Sequence, residues 1–411
     1  MVHRWRRRGY RRGMSTSKAP GRGPRLFGRI DTPRSSTWLE LFFDLAFVVA
    51  VARLAALLHD DPTGRGFAVY LGLFVPVWWL WISFSYYADL FDAHDFVNKL
   101  SQLAAMFGAI VIAITLDDGV GDDARLFAGI LAVLFVLLAA LYANAGRNEP
   151  AAAELCRYYV VGSLTGAALW AASLAVPAPG RYWLWGLAVA LNASISGPIA
   201  YYRVSQAPQQ VSHMPERFGL FVVIVLGESV LAVVEGTSGA DWSPASTSVA
   251  VSAFVLVVAM WWIYFSQFDE RLIDRALSDG SAAQVRSFVY GYGHLLLYAL
   301  IAAAGVGMEL AIEEAAEDVT GAGGRLLWTS LAGYLVLLTV MQAAVHQAID
   351  RRLLLARAAA AAVCLSLAVT RPAALGGVAV ATAALLVVVA TEILGVRARD
   401  RAADPQATIA A

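Results

Sequence analysis

Charge is scarce in this chain. Only 15% of its 411 residues are Asp, Glu, Lys or Arg, against about a quarter in soluble domains. Cysteine is scarcer still. Cys156 and Cys364 stand far apart in sequence and suggest neither a disulfide framework nor a thiolate metal site. Catalytic signatures are missing as well: there is no HExxH, CxxC, P-loop, GxSxG or Rossmann glycine fingerprint. These absences point away from a soluble enzyme. The sequence leads us to expect no catalytic centre, no cofactor and no resident metal.

What the chain has instead is apolar length. It is 59% hydrophobic, with a mean hydropathy of +0.62. Twelve runs are long enough to span a bilayer at roughly twenty residues each: about 38–58, 67–87, 100–116, 125–145, 156–176, 182–200, 217–235, 248–268, 286–308, 325–346, 353–370 and 373–395. The odd-to-even connections, such as HDDPTGRG and DDGVGDDA, are mostly acidic or neutral. The even-to-odd connections carry Lys99, Arg147, Arg157, Arg203, Arg217, Arg271, Arg275, Arg286, Arg351, Arg352 and Arg357. Basic residues favour the cytoplasmic side, so the pattern predicts a bacterial inner-membrane protein with both termini in the cytoplasm. The segment 1–37 has 11 Lys or Arg and Asp31 as its only acid. It reads as a basic, disordered cytoplasmic arm, with no nucleic-acid partner expected.

The chain also resembles itself. WWLWISF from Trp78 matches WWIYFSQ from Trp261, RLFAGILAVLFVLL from Arg125 matches RLLWTSLAGYLVLL from Arg325, and SLAVPAP from Ser173 matches SLAVTRP from Ser366. The order is kept, as a duplication with drifting loop lengths leaves it. The expected fold is an all-α polytopic membrane protein with about twelve transmembrane helices, arranged as two parallel six-helix repeats. The repeats occupy 38–200 and 217–395, with a linker at 201–216 and a cytoplasmic tail at 396–411. An even number of spans per repeat keeps both halves the same way up, and a pathway in such folds lies between the halves.

Charges inside the apolar runs are the candidates for function, because they are costly at membrane depth. The first span, WLELFFDLAFVVAVARLAALL, contains Glu40, Asp44 and Arg53. Glu40 sits in the first turn, where an acid is favoured by the helix end. Asp44 and Arg53 need partners or water elsewhere. Aligning Glu40 with Glu216 puts Glu228 at the depth of Arg53, so the sequence suggests that Arg53 and Glu228 meet between the halves. Glu228, Asp44 and Arg53 are therefore the leading transport or coupling residues, and His294, Glu309, Asp92 and Asp95 are secondary candidates. Asn192, His346 and Glu392 are polar points of lesser weight. Asp89, Asp92, His94 and Asp95 in DLFDAHDF could bind a divalent cation, but a solvated acidic loop is the plainer reading. Trp78, Trp79, Trp81, Trp261 and Trp262 read as packing or interface anchors.

The stretches WLELFFDLAFVVAVARL, SHMPERFGLFVVIVLGES, WWLWISF with the downstream FDAHDF, and YGHLLLYALIAAAGVGMEL together resemble the bacterial low temperature requirement protein A family, from about residue 36 to about residue 395. The resemblance implies a multi-pass membrane protein linked by name to growth in the cold. It marks Glu40, Asp44, His213, Glu216, Arg217, Gly227 and Glu228 as signature positions and brings no substrate, reaction or cofactor. From the residues, the leading expectation is a secondary transporter for a small solute or ion. A channel-like permeation protein and a non-transport sensor or envelope factor are the alternatives.

Overall fold

The computed structural model describes residues 37–91, 96–116, 120–199, 214–238, 242–266, 273, 283–316, 321–346 and 349–403. Among them the chain forms twelve α-helices. These are α1 (Trp38–Asp60), α2 (Gly64–Leu90), α3 (Phe96–Thr115), α4 (Ala124–Asn148), α5 (Ala153–Ser173), α6 (Gly180–Ser194), α7 (Met214–Ser238), α8 (Pro244–Phe265), α9 (Ala283–Ala316), α10 (Gly323–His346), α11 (Arg351–Thr370) and α12 (Ala374–Ala403). Each expected run lies on one of them, and no described residue belongs to an extended strand.

Ten of the twelve are long and apolar enough to cross a membrane. The two that fall short are α5 and α6, for different reasons. Arg157, Tyr158, Tyr159, Ser163 and Thr165 dilute α5. The regular part of α6 has only 15 residues before it widens into a π-helical turn at Ile195–Ile199. At the other extreme, α9 has 34 residues. At 1.5 Å per residue it is about 51 Å long, well beyond a hydrocarbon core of about 30 Å.

Local chemistry sets several helix starts. Thr37 caps α1 by accepting from the Glu40 amide at 3.3 Å, while the Glu40 carboxylate accepts from the Thr37 amide at 2.7 Å. This capping box satisfies two amides that a helix start leaves over. Ser243 does the same service for α8 by accepting from the Ser246 amide. Signature residue Glu40 thus has a structural task.

Six helix contacts recur in both halves, while α2–α4 is prominent in the first only and α8–α9, α9–α12 and α10–α12 in the second only. In the first, α1 packs on α2 and α3, α3 on α4, α4 on α5, α5 on α6, and α2 on α6. In the second, α7 packs on α8 and α9, α9 on α10, α10 on α11, α11 on α12, and α8 on α12. The halves meet where α1 and α2 contact α7 and α9. Tyrosines stitch the bundle by donating to backbone carbonyls on other helices: Tyr70 to Ala299, Tyr298 to Phe218 and Tyr334 to Met260.

Side-chain exposure separates the two readings of the tryptophans. Trp78, Trp79 and Trp81 are buried packing residues, whereas Trp261 and Trp262 are partly exposed on α8. Apolar side chains also cover the outside of the bundle. On α1, Phe42, Leu45 and Val49 form an exposed stripe, the surface a helix presents to lipid.

Candidate functional site

The seam between the halves holds a buried ion pair. Asp44 on α1 is 0% exposed and Arg217, in the first turn of α7, is 2% exposed. Arg217 Nη2 donates to Asp44 Oδ1 at 2.5 Å, and Trp81 Nε1 on α2 donates to the same oxygen at 2.8 Å. The guanidinium carbon lies 5.8 Å from the Phe43 ring centre and 5.9 Å from that of Trp81, within the range of cation–π attraction. Arg217 Nη1 also donates to the Ser85 carbonyl at 3.5 Å.

The pair is incompletely satisfied. Asp44 Oδ2, Arg217 Nε and Ser85 Oγ are buried with no hydrogen-bond partner among the described residues. Polar atoms orphaned in this way each carry a desolvation penalty. Three of them around one ion pair mark a place where water or a polar ligand has donors and acceptors to meet.

A second buried pair lies within the second half. Arg357 on α11 donates to Glu392 on α12 and to Gln342 on α10. Ser266, just past α8, donates to the other Glu392 oxygen at 2.5 Å. Both carboxylate oxygens are therefore used, unlike those of Asp44. In the first half the corresponding α2–α6 contact is Trp79 Nε1 donating to Asn192 at 2.6 Å. Asn192 and Glu392 thus act as interhelical hydrogen bonders.

Arg217 and Arg357 count among the basic residues that mark the cytoplasmic connections, yet both are buried inside helices. Each found a carboxylate on another helix, and a partnered Arg can leave the interface.

The other candidates fall into place as follows. His294 is fully buried on α9. Its Nδ1 lies 2.7 Å from the Tyr290 carbonyl and its Nε2 lies 2.9 Å from the Tyr264 hydroxyl. A carbonyl only accepts, so Nδ1 carries the proton and Nε2 accepts from Tyr264. The ring also stacks on Phe218 at 4.4 Å. Arg53 continues the exposed stripe of α1, and Glu228 is half-buried on α7. Asp44 is an α1 side chain that reaches α7, through Arg217. Glu228 and Glu235 interact along α7, and both interact with Glu309 on α9. Glu309 in turn lies beside Glu313 and His59, a residue the sequence reading passed over. Acidic side chains therefore gather toward the α1 C-terminal end of the bundle. Gly227 has nothing within 4 Å of where a Cβ would stand. Glu216 is part-buried on α7. Asp92, His94, Asp95 and His213 lie outside the described residues.

The profile of the bacterial low temperature requirement A protein (LtrA) family matches residues 35–390. The chain belongs to the LtrA family. A protein of Rhizobium meliloti (strain 1021), described as uncharacterized, is 31% identical over 285 residues, covering 66% of this chain and 68% of that protein. No solved structure matches the chain. Ten helices long and apolar enough to cross a membrane make this LtrA protein multi-pass in build. The match takes in every helix that contributes to the Asp44–Arg217 pair and to the His59 cluster.

Proposed function

We propose that this LtrA-family protein is a secondary transporter for a small solute or ion in the bacterial inner membrane. Both termini are cytoplasmic, the bilayer is its partner, and it performs no enzymatic reaction. The observation that carries the reading is the Asp44–Arg217 pair with its orphaned neighbours Asp44 Oδ2, Arg217 Nε and Ser85 Oγ. It joins the first helix of one half to the first helix of the other, where the moving seam of a parallel-repeat transporter lies. The six helix contacts that recur in both halves support two six-helix repeats. Glu228, about 16 Å further along α7 than Arg217 by helical rise, is the second coupling carboxylate of the proposal. Arg53 is the basic residue closest to it in depth.

The proposed role is a gate. An ion pair shared by two halves holds them together in one state. A cation or proton that neutralises Asp44, or an anion that engages Arg217, weakens that hold and allows the halves to rock.

The test uses purified full-length protein in sealed proteoliposomes, with internal pH and membrane potential followed across a screen of cations and small organic solutes. The wild type supports a solute-dependent flux, Asp44→Asn abolishes it, and Glu228→Gln alters its ion dependence. No flux from folded wild type across the screen overturns the proposal. That outcome favours a second reading, a non-transport sensor or envelope factor for growth in the cold. An observation stands behind that reading too. Trp81, Phe221 and Tyr298 fill the seam, with ring centres 4.4 Å apart for Trp81–Phe221 and 4.9 Å for Phe221–Tyr298.

A further inference from the structure

We propose that His59, Glu309 and Glu313 form a binding site for a divalent transition-metal ion of the zinc type, joining the end of α1 to the end of α9. His59 lies in the last turn of α1. Glu309 and Glu313 are four residues apart on α9, which sets both carboxylates on one face of the helix. The three side chains come from opposite halves of the chain, yet one ligand atom of each lies within 4.8 Å of the others.

The separations suit a shared metal ion as well as they suit an ion pair. His59 Nε2 is 3.6 Å from Glu309 Oε1 and 3.5 Å from Glu313 Oε2. A charge-assisted N–H···O bond closes to about 2.7–2.9 Å. Here Nε2 is buried, faces two carboxylates and makes no hydrogen bond to either. Two ligands of one tetrahedral ion, each about 2.1 Å from it, stand about 3.4 Å apart. Nε2 keeps that distance from both carboxylates at once.

The surroundings fit as well. Asp60 Oδ1 lies 3.9 Å from His59 Nδ1, beyond hydrogen-bond distance, on the other side of the ring. Glu235 and Glu228 both act electrostatically on Glu309, so further carboxylates crowd the neighbourhood. One imidazole nitrogen with two carboxylate oxygens suits Zn2+, Co2+ or Mn2+ better than Ca2+ or Mg2+, which prefer oxygen alone. Three protein ligands leave a fourth position for water or a passing solute.

The site is independent of the transport reading, because binding is measured on the protein at rest. Full-length protein in nanodiscs is stripped with chelator and equilibrated with Zn2+, and metal per chain is measured after dialysis. Co2+ serves as the spectroscopic probe. The wild type takes up one Zn2+ and its thermal midpoint rises. His59→Gln and Glu309→Gln each weaken binding by more than the about 10- to 100-fold that loss of an outer-shell partner costs. Each variant is first shown to have the elution profile and metal-free midpoint of the wild type, and Glu313→Gln replaces any that does not. Folded wild type that takes up no stoichiometric Zn2+ overturns the proposal. So does Zn2+ uptake that persists in folded variants, or Ca2+ or Mg2+ binding as tight as that of Zn2+.

Discussion

Asp44 and Arg217 lie 173 residues apart in sequence, and each makes the other tolerable where neither belongs alone. A buried pair of this kind contributes little net stability, but breaking it strands a charge at a cost of about 3–5 kcal/mol. Arg217→Met alone is therefore expected to lower unfolding free energy by about that amount. Combining it with Asp44→Leu recovers most of the loss, since the double variant leaves no charge behind. Detergent-solubilised thermal or denaturant unfolding of the two singles and the double checks this. A double variant as unstable as the worse single refutes it. Trp81 adds a second hold, because its Nε1 bond fixes which carboxylate oxygen faces Arg217. That choice leaves Oδ2 as the free acceptor.

Between elements, small residues set how closely the helices approach. A Cβ at Gly305 would stand 3.0 Å from the Ser229 Cα, and one at Gly236 would stand 2.9 Å from the Glu309 carbonyl oxygen, both at the α7–α9 crossing. At Gly307 it would stand 2.6 Å from the Leu327 amide nitrogen on α10. Close backbone approach at small residues is how helices gain contact in lipid, where burial from water no longer drives them together. Gly236→Ala meets backbone rather than a flexible side chain and should cost about 1–3 kcal/mol. Gly227→Ala on the same helix meets nothing within 4 Å and should stay within about 0.5 kcal/mol of the wild type. Unfolding midpoints of the two variants measured side by side decide it, and equal losses would show that the α7–α9 contact is looser than drawn. Because Gly236 abuts Glu309, the same crossing places α7 beside the His59 cluster.

At the scale of the whole molecule, the arrangement predicts which loops face outward. An Asp61→Cys variant, at the end of α1, should react with a membrane-impermeant maleimide in right-side-out spheroplasts. A Glu149→Cys variant, after α4, should react only once the membrane is opened. The reverse labelling would invert the topology. Native Cys156 and Cys364 are buried and give little background. The twelve helices themselves were legible in the sequence, because apolar run length is a local property and each run was bounded by Gly, Pro or charged residues. The family was legible as well, from stretches such as ELFFDL and PERFGLFVVIVLGE. Asp44 could be singled out as a costly charge, but its partner Arg217 could not. Arg217 and Arg357 read as interface charges, because a basic residue near a helix start looks the same whether it faces water or a buried carboxylate. His59 was overlooked for a related reason: nothing near it in sequence hints at Glu309 and Glu313. The sequence by itself determined how many apolar helices form and roughly where each begins and ends, since these follow from hydropathy and capping within a few turns. Only the tertiary structure decided which charges pair, which stay unsatisfied and which gather their ligand atoms. Those outcomes depend on contacts between helices hundreds of residues apart, and no local pattern encodes them.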